Sequence, residues 1–209
     1  RVNSTFSRYS RVRSMTGMTG AEAARRLLNA QGIYDVTVQQ IAGELTDHYD
    51  PRTKTVNLSQ SVYGATSVAA IGVAAHECGH AMQDNEGYAP LRFRSALVPV
   101  ANFGSSLSWP LILLGLVFGG LGSPLVEIGI LMFSLAVLFQ LVTLPVEYNA
   151  SARAVRLLDA QGILAGEEVN GTRKVLNAAA LTYVAAAATS ILQLLRLIIL
   201  FGGRNRRDR

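Results

Sequence analysis

The spacing of apolar positions changes from segment to segment along this chain. Residues 1–18, opening "RVNSTFSRYSRVRS", are rich in arginine, serine and threonine and carry little apolar periodicity. They read as a basic juxtamembrane lead-in or a disordered terminus. "TGAEAARRLLNAQG" then predicts a helix marked at both ends, with Thr19 and Glu22 as a capping-box pair and Gly32 as the stop. Nearly the same wording, "RLLDAQGI" after "RLLNAQGI", returns at 156–163, and two helices sharing a glycine stop account for it without a repeat fold. Between residues 35 and 59 the apolar runs shorten and turn β-branched ("VTV", "ELTDHY", "KTVNL"), while "DPRT" puts proline where a type I turn wants it. That pattern predicts a small sheet or hairpin. Residues 61–83 return to helical spacing, with small and apolar residues on most sides, as in a helix buried in a core.

Two later segments have no charged positions at all. None lies in the 32 residues between Arg94 and Glu127, where "LSWPLILLGLVFGGLG" is densest, nor in the 19 between Glu127 and Glu147. As a helix, 19 residues extend about 28 Å, enough for the hydrocarbon core of a bilayer. The link "GSPLVE" is short, so the pair is expected to form a transmembrane hairpin. A third run, 175–195, is alanine-rich, and Arg196 separates it from "LIILF". It is expected to span as well, the alternative being a core helix with an apolar extension. The closing "GGRNRRDR" reads as a solvated basic tail.

Composition agrees with a membrane protein that has a modest polar part: 50% of residues are hydrophobic, 16% are charged, and the mean hydropathy is +0.28. The net charge is +5, but the arginines flank the apolar runs and form no single patch. This favours the lipid bilayer as a partner and speaks against nucleic acid. Cys78 is the only cysteine, which excludes an internal disulfide; a small packing residue is expected there. The chain starts at Arg1 and not at methionine, so a segment upstream is expected, and no signal peptide is visible.

The chemistry is concentrated in "VAAHECGHAM", residues 73–82. On a helix, positions four apart share a face, so His76 and His80 can offer two imidazole nitrogens to one ion. Glu77 stands where it can reach a metal-bound water. Zinc lowers the pKa of that water toward ~7, and the glutamate takes its proton as it attacks a carbonyl. The pattern therefore encodes metal-assisted hydrolysis, most often of peptide bonds. Two of the three histidines in the chain fall in it. A buried helix has little other use for them, since unpaired polar groups there are costly.

A catalytic zinc needs a third protein ligand and an open position. No histidine follows His80, and Asp84 and Glu86 come too soon after it for the helix to fold back. Glu127 belongs to the far end of the expected hairpin. Glu147, in "PVEYNASARAVRLL", remains: it ends the second span on the side of the motif and opens a helix that reads apolar up to Gly162. An out-and-back hairpin between His80 and Glu147 would assemble the metal site at the membrane surface.

Four phrases, "DHYDPRTKTVNLS", "AAHECGHAMQ", "EGYAPLRFRSALVPVAN" and "FQLVTLPVEYNASARA", together resemble the YugP-like neutral zinc metallopeptidases of bacteria. The resemblance covers residues 4–197. Members of that family open with a transmembrane helix, which this sequence does not show. More distantly, the layout is similar to the membrane gluzincins that include the HtpX heat-shock protease and the CAAX prenyl protease. These too separate the histidine motif from a glutamate ligand by transmembrane helices. Their glutamate segment runs Glu-x-x-Ala-Asp, whereas Ser151 stands here in place of the aspartate that supports a histidine ligand. The resemblance thus implies Glu147 as ligand, with Ser151 or Asn149 as a weaker support.

The expected architecture is a mostly α membrane protein with a small zincin-like α+β catalytic part, a transmembrane helical hairpin and a third spanning helix. Residues 1–95 carry the motif helix, 96–146 the hairpin, 147–174 the second catalytic part with the third ligand, 175–201 the third helix, and 202–209 the tail. The expected function is a membrane-embedded zinc peptidase with catalytic Glu77, the ligands His76, His80 and Glu147, and protein or peptide substrates, membrane proteins among them. Candidate donors to the transition-state oxyanion are His48, Tyr49, Tyr148, Arg173 and Tyr183, with His48 first because it precedes the motif helix on a strand. That strand could also present its edge to an extended peptide. The alternatives are a silent zinc-containing scaffold, which would not need an intact Glu77, and a site-2-type intramembrane protease. The latter would need an Asn-x-x-Pro…Asp-Gly context that is absent. Arg92, Arg94, Arg153, Arg156, Arg173 and Lys174 flank the hairpin on its catalytic side and place that side in the cytoplasm of a bacterial membrane; the arginines of the tail point the other way.

Overall fold

A computed structural model describes residues 2–121 and 123–201, so the tail expected at 202–209 lies outside the described residues. Helices dominate: α1 (Val2–Ser10), α2 (Gly20–Ala30), α3 (Gln60–Tyr63), α4 (Val68–Asn85), α5 (Ala89–Gly119), α6 (Pro124–Ala160) and α7 (Glu167–Phe201). Three strands, β1 (Thr37–Ile41), β2 (His48–Asp50) and β3 (Thr55–Ser59), form one small sheet. The chain divides into two compact units, Arg1–Tyr88 with Val146–Thr182 and Ala89–Pro145 with Tyr183–Arg209.

In the first unit the local signals act as expected. Thr19 and Glu22 close a reciprocal capping box on α2, so two otherwise orphaned backbone N–H groups are satisfied. Gly32 and Gly162 take φ of +70° and +62° just past the ends of α2 and α6, which explains the shared "AQG" wording. The sheet is more than a hairpin. β2 pairs antiparallel with β3 across the Asp50–Pro51 turn, while β1 lies parallel to β3 on its other side, giving the order β1-β3-β2. The helix expected over 61–83 is broken into α3 and α4, because Ser67 caps a new start by accepting from the Ala70 N–H. Leu27, Leu28, Leu58, Ile71, Met82, Leu158, Ile163 and Leu164 fill the core between these elements, each at most 2% exposed.

The described N-terminal residues are ordered, contrary to the alternative of a disordered terminus. α1 forms, Arg13 bridges to Ser67, and the Met15 N–H donates to the Glu168 carboxylate. Tertiary contacts supply what the weak periodicity of this segment lacks.

The second unit has a small core of its own, Ile112, Phe133, Val137 and Leu197. Most of its large apolar side chains face outward, among them Phe103, Val117, Phe118, Leu131 and Ile199. α5, α6 and α7 are each long and apolar enough to cross a membrane, and only 28%, 22% and 11% of their most apolar windows is buried. A soluble core helix would not leave that surface open, so lipid is the natural solvent for it. The turn between α5 and α6 is shorter than the expected "GSPLVE" link. Pro124 begins α6 and Glu127 sits in its first turn, where a fixed φ and a negative charge both suit a helix start. α6 also does not restart at Glu147: it runs 37 residues through Pro145 without interruption. A proline removes one backbone donor, and a long helix held by neighbours on many turns can carry that loss.

Candidate active site

α4 and α6 meet where α4 has no side chain. A Cβ on Gly79 would lie 2.5 Å from the Ala150 carbonyl oxygen, so only glycine allows this approach. The close contact brings His76 and His80 on α4 to Glu147 on α6. Nε2 of His76 lies 3.1 Å from Glu147 Oε2, and Nε2 of His80 lies 3.6 Å from Glu147 Oε1. The two rings stand edge to face at 4.7 Å. One ligand atom from each of the three residues falls within 4.8 Å of the others, a grouping that could hold a metal ion.

The far side of each ring is held as well. His76 Nδ1 is 3.0 Å from Ser151 Oγ, and His80 Nδ1 donates to Gln83 Oε1 at 3.0 Å. Gln83 is fully buried, and its amide N–H group donates to the Val146 carbonyl and to Asn149 Oδ1, each at 2.9 Å. Asn149 in turn accepts from Arg153, whose guanidinium pairs with Glu86 at 2.7 Å. Ser151 and Asn149 are therefore both in the network, one directly on a histidine and one behind Gln83. Gln83 itself escaped the sequence reading, although its place three residues after His80 puts it on the same helix face.

Glu77 is 8% exposed and makes no side-chain hydrogen bond or ion pair with any described residue. Asp84 is occupied by Tyr49 and Lys54, and Glu86 by Arg153; neither joins the ligand group. Cys78 is buried against the Ala24 carbonyl, and burial pushes its thiol well above the usual range, as suits a packing residue.

His48 lies exposed on the edge strand β2 and is not in the ligand group. Its Nδ1–H donates to the Thr46 carbonyl, and Nε2 accepts from the Asn57 amide. Tyr49 spends its hydroxyl on Asp84, and burial and that carboxylate together raise its pKa far beyond the ordinary value. Tyr148 and Arg173 line a groove beside Ser151, and Tyr183 lies exposed on α7.

The family described as "Putative neutral zinc metallopeptidase" matches residues 1–202. The chain belongs to that family. It is also similar to a curated protein named "Putative membrane protease YugP" from Bacillus subtilis (strain 168), 50% identical over 201 residues that cover 96% of this chain and 88% of that protein. No solved structure matches the chain. The resemblance read from the four phrases thus holds over nearly the whole length.

A zinc metallopeptidase needs a site that wants a cation, and His80 supplies the test. Both of its ring nitrogens face acceptors, Gln83 Oε1 on one side and the Glu147 carboxylate on the other. The amide of Gln83 cannot be turned round, because its N–H group already serves two oxygens. A neutral imidazole has only one N–H, so a second positive centre is required between Nε2 and the carboxylate. In the absence of a metal, a proton on Nε2 would answer that need. Burial alone would lower the His80 pKa, but the contact with Glu147 and the charges of Glu77 and Glu147 raise it. A divalent ion could take that place, and the donor set of two imidazole nitrogens and a carboxylate fits zinc.

Proposed function

We propose that this chain is a membrane-embedded zinc-dependent peptidase that hydrolyses peptide bonds of proteins at or near the bilayer surface. The observation that carries the reading is the convergence of two Nε2 atoms on one buried carboxylate, with both Nδ1 atoms already engaged. His76, His80 and Glu147 would hold the ion. When bound, zinc supplies a Lewis acid that acidifies water and polarises a carbonyl. Glu77, one residue beyond His76 and without a side-chain hydrogen bond or ion pair among the described residues, accepts the proton of the attacking water and returns it to the departing amine. Gln83 Oε1 favours the His80 tautomer protonated at Nδ1, whose Nε2 lone pair is available to metal, while Ser151, which can accept as well as donate, holds the orientation of the His76 ring. His48 can serve as donor to the developing oxyanion only when protonated, because the neutral ring accepts at Nε2 from Asn57. The unpartnered Glu77 favours an enzyme over a silent zinc scaffold, which has no use for a free carboxylate beside its ligands.

The three apolar helices and the name of the Bacillus relative support membrane residence. The basic residues flanking the hairpin support a catalytic side facing the cytoplasm of a bacterial cell. The deciding experiment compares wild type and Glu77→Gln, purified in detergent, on a quenched peptide library with and without chelator. Glu77→Gln should keep its zinc and lose at least ~100-fold in hydrolysis. Hydrolysis within tenfold of wild type, or insensitive to chelator, would remove the peptidase assignment.

A further inference from the structure

Within the first unit, a groove of about 490 Å³ runs between the end of α6 and the start of α7. It begins at Tyr148 and Ser151, next to Glu147 in sequence and bonded to His76 respectively, and continues along α6 to Asp159. The eleven helical rises from Tyr148 to Asp159 make it roughly 16 Å long, the length of about five residues of extended chain. Its floor is apolar, with Val155, Val169 and Leu176 all nearly buried. Arg156 reaches it from α6 and Arg173 from α7, and neither forms a side-chain hydrogen bond or ion pair with any described residue. Asp159 offsets one of the two positive charges.

We propose that this groove binds an extended substrate segment carrying an acidic side chain among apolar ones, with Arg156 and Arg173 selecting the acid. The proposal rests on the peptidase reading for its substrate class. First, the groove starts at Tyr148, which follows Glu147 in the chain, and at Ser151, which bonds His76, so an occupant lies beside the candidate site. Second, a groove with an apolar floor and two arginines whose guanidinium groups make no hydrogen bond or ion pair among the described residues complements a carboxylate between apolar side chains; of the groove's lining, only Asp159 would meet a basic segment. The planar forks of arginine suit a carboxylate held at either oxygen. A lipid headgroup shares the negative charge but has no reason to extend from the ligand residues along two further turns of α6.

The test measures binding apart from hydrolysis. Full-length Glu77→Gln protein, zinc-loaded in phosphatidylcholine nanodiscs, is titrated into fluorescein-labelled octapeptides of leucine and alanine with two glutamates, or with glutamine or lysine in their place. The glutamate peptide should bind about fivefold more tightly than the glutamine peptide, the size expected for two partly exposed charge pairs. Arg156→Gln with Arg173→Gln should abolish that preference while leaving zinc content and the affinity of the glutamine peptide unchanged. Asp159→Asn should strengthen the preference. Equal affinity for the glutamate and glutamine peptides, or a preference that survives the double substitution, overturns the proposal. An arginine-dependent affinity for phosphatidylglycerol nanodiscs with no peptide preference overturns it in favour of a headgroup site. A clear peptide preference in a protein whose wild type hydrolyses nothing would sustain the groove assignment and sink the peptidase reading.

Discussion

Replacing Gln83 by methionine keeps the length of the side chain and removes three hydrogen bonds at once: from His80 Nδ1, to the Val146 carbonyl and to Asn149. Asn149 retains Arg153 as a donor, so the loss falls mainly on His80 and on the tie between α4 and α6. At about 1 kcal/mol net for each neutral bond, the fold loses roughly 2–3 kcal/mol, less what the buried thioether regains by packing. The effect on metal is separable from this. His80 Nδ1 becomes a buried donor facing sulfur, and nothing then favours the tautomer whose Nε2 can bind an ion. Loss of such an orienting partner typically costs 10–100-fold in metal affinity, or about 1.4–2.8 kcal/mol. Zinc affinity is read by competition with a chromophoric chelator, and folding by thermal melting of the metal-free protein in detergent. Glu147→Ala serves as the marker for full loss of a ligand. If Gln83→Met binds zinc within threefold of wild type while Glu147→Ala does not, Gln83 is a packing residue and the orienting argument fails.

Glu147→Ala should lose most of its zinc, whereas Glu127→Ala, twenty residues earlier on α6, should keep it; metal analysis of the two purified variants decides, and equal loss would undo the choice of ligand. Gly79→Ala places a methyl group 2.5 Å from the Ala150 carbonyl oxygen, so α4 and α6 must part; a cost of about 1–3 kcal/mol in stability and a measurable fall in zinc affinity are expected, and a variant with wild-type melting and zinc content would count against the close approach. The pH dependence follows from the raised His80 pKa. Zinc must displace that proton, so apparent affinity should climb as pH rises from below the free imidazole value of ~6.5 through the raised one, then level off; affinity flat across that window would contradict the shared proton. The metal-free fold should behave oppositely, since the protonated ring contributes its full stability below the unfolded pKa and loses it as pH rises through the folded one.

Much of this protein depends on residues within a turn or two of each other, and those parts were legible in the sequence. The Thr19–Glu22 box, the glycine stops after "RLLNA" and "RLLDA", the helix bearing His76, Glu77 and His80, and the charge-free runs of α5 and α6 each follow from local sterics or from the width of a bilayer. Even the grouping of Glu147 with the two histidines could be expected by elimination, because the position of the other carboxylates leaves few that can reach them. What depends on distant partners was not legible. α1 has too weak a pattern to hold itself, β1 finds β3 in parallel only after the chain has passed through β2, and Pro145 does not break a helix that its neighbours support. The orienting bonds were legible only in part: the resemblance named Ser151 and Asn149 as supports, but not Gln83 and not which ring each serves. Ser151 reaches His76 across 75 residues, and Gln83 reaches Val146 across 63. Glutamine and serine carry no pattern of their own. Gln83 and Ser151 reach the histidines only because packing at Gly79 sets two helices close enough to engage one nitrogen of each ring and leave the other facing Glu147.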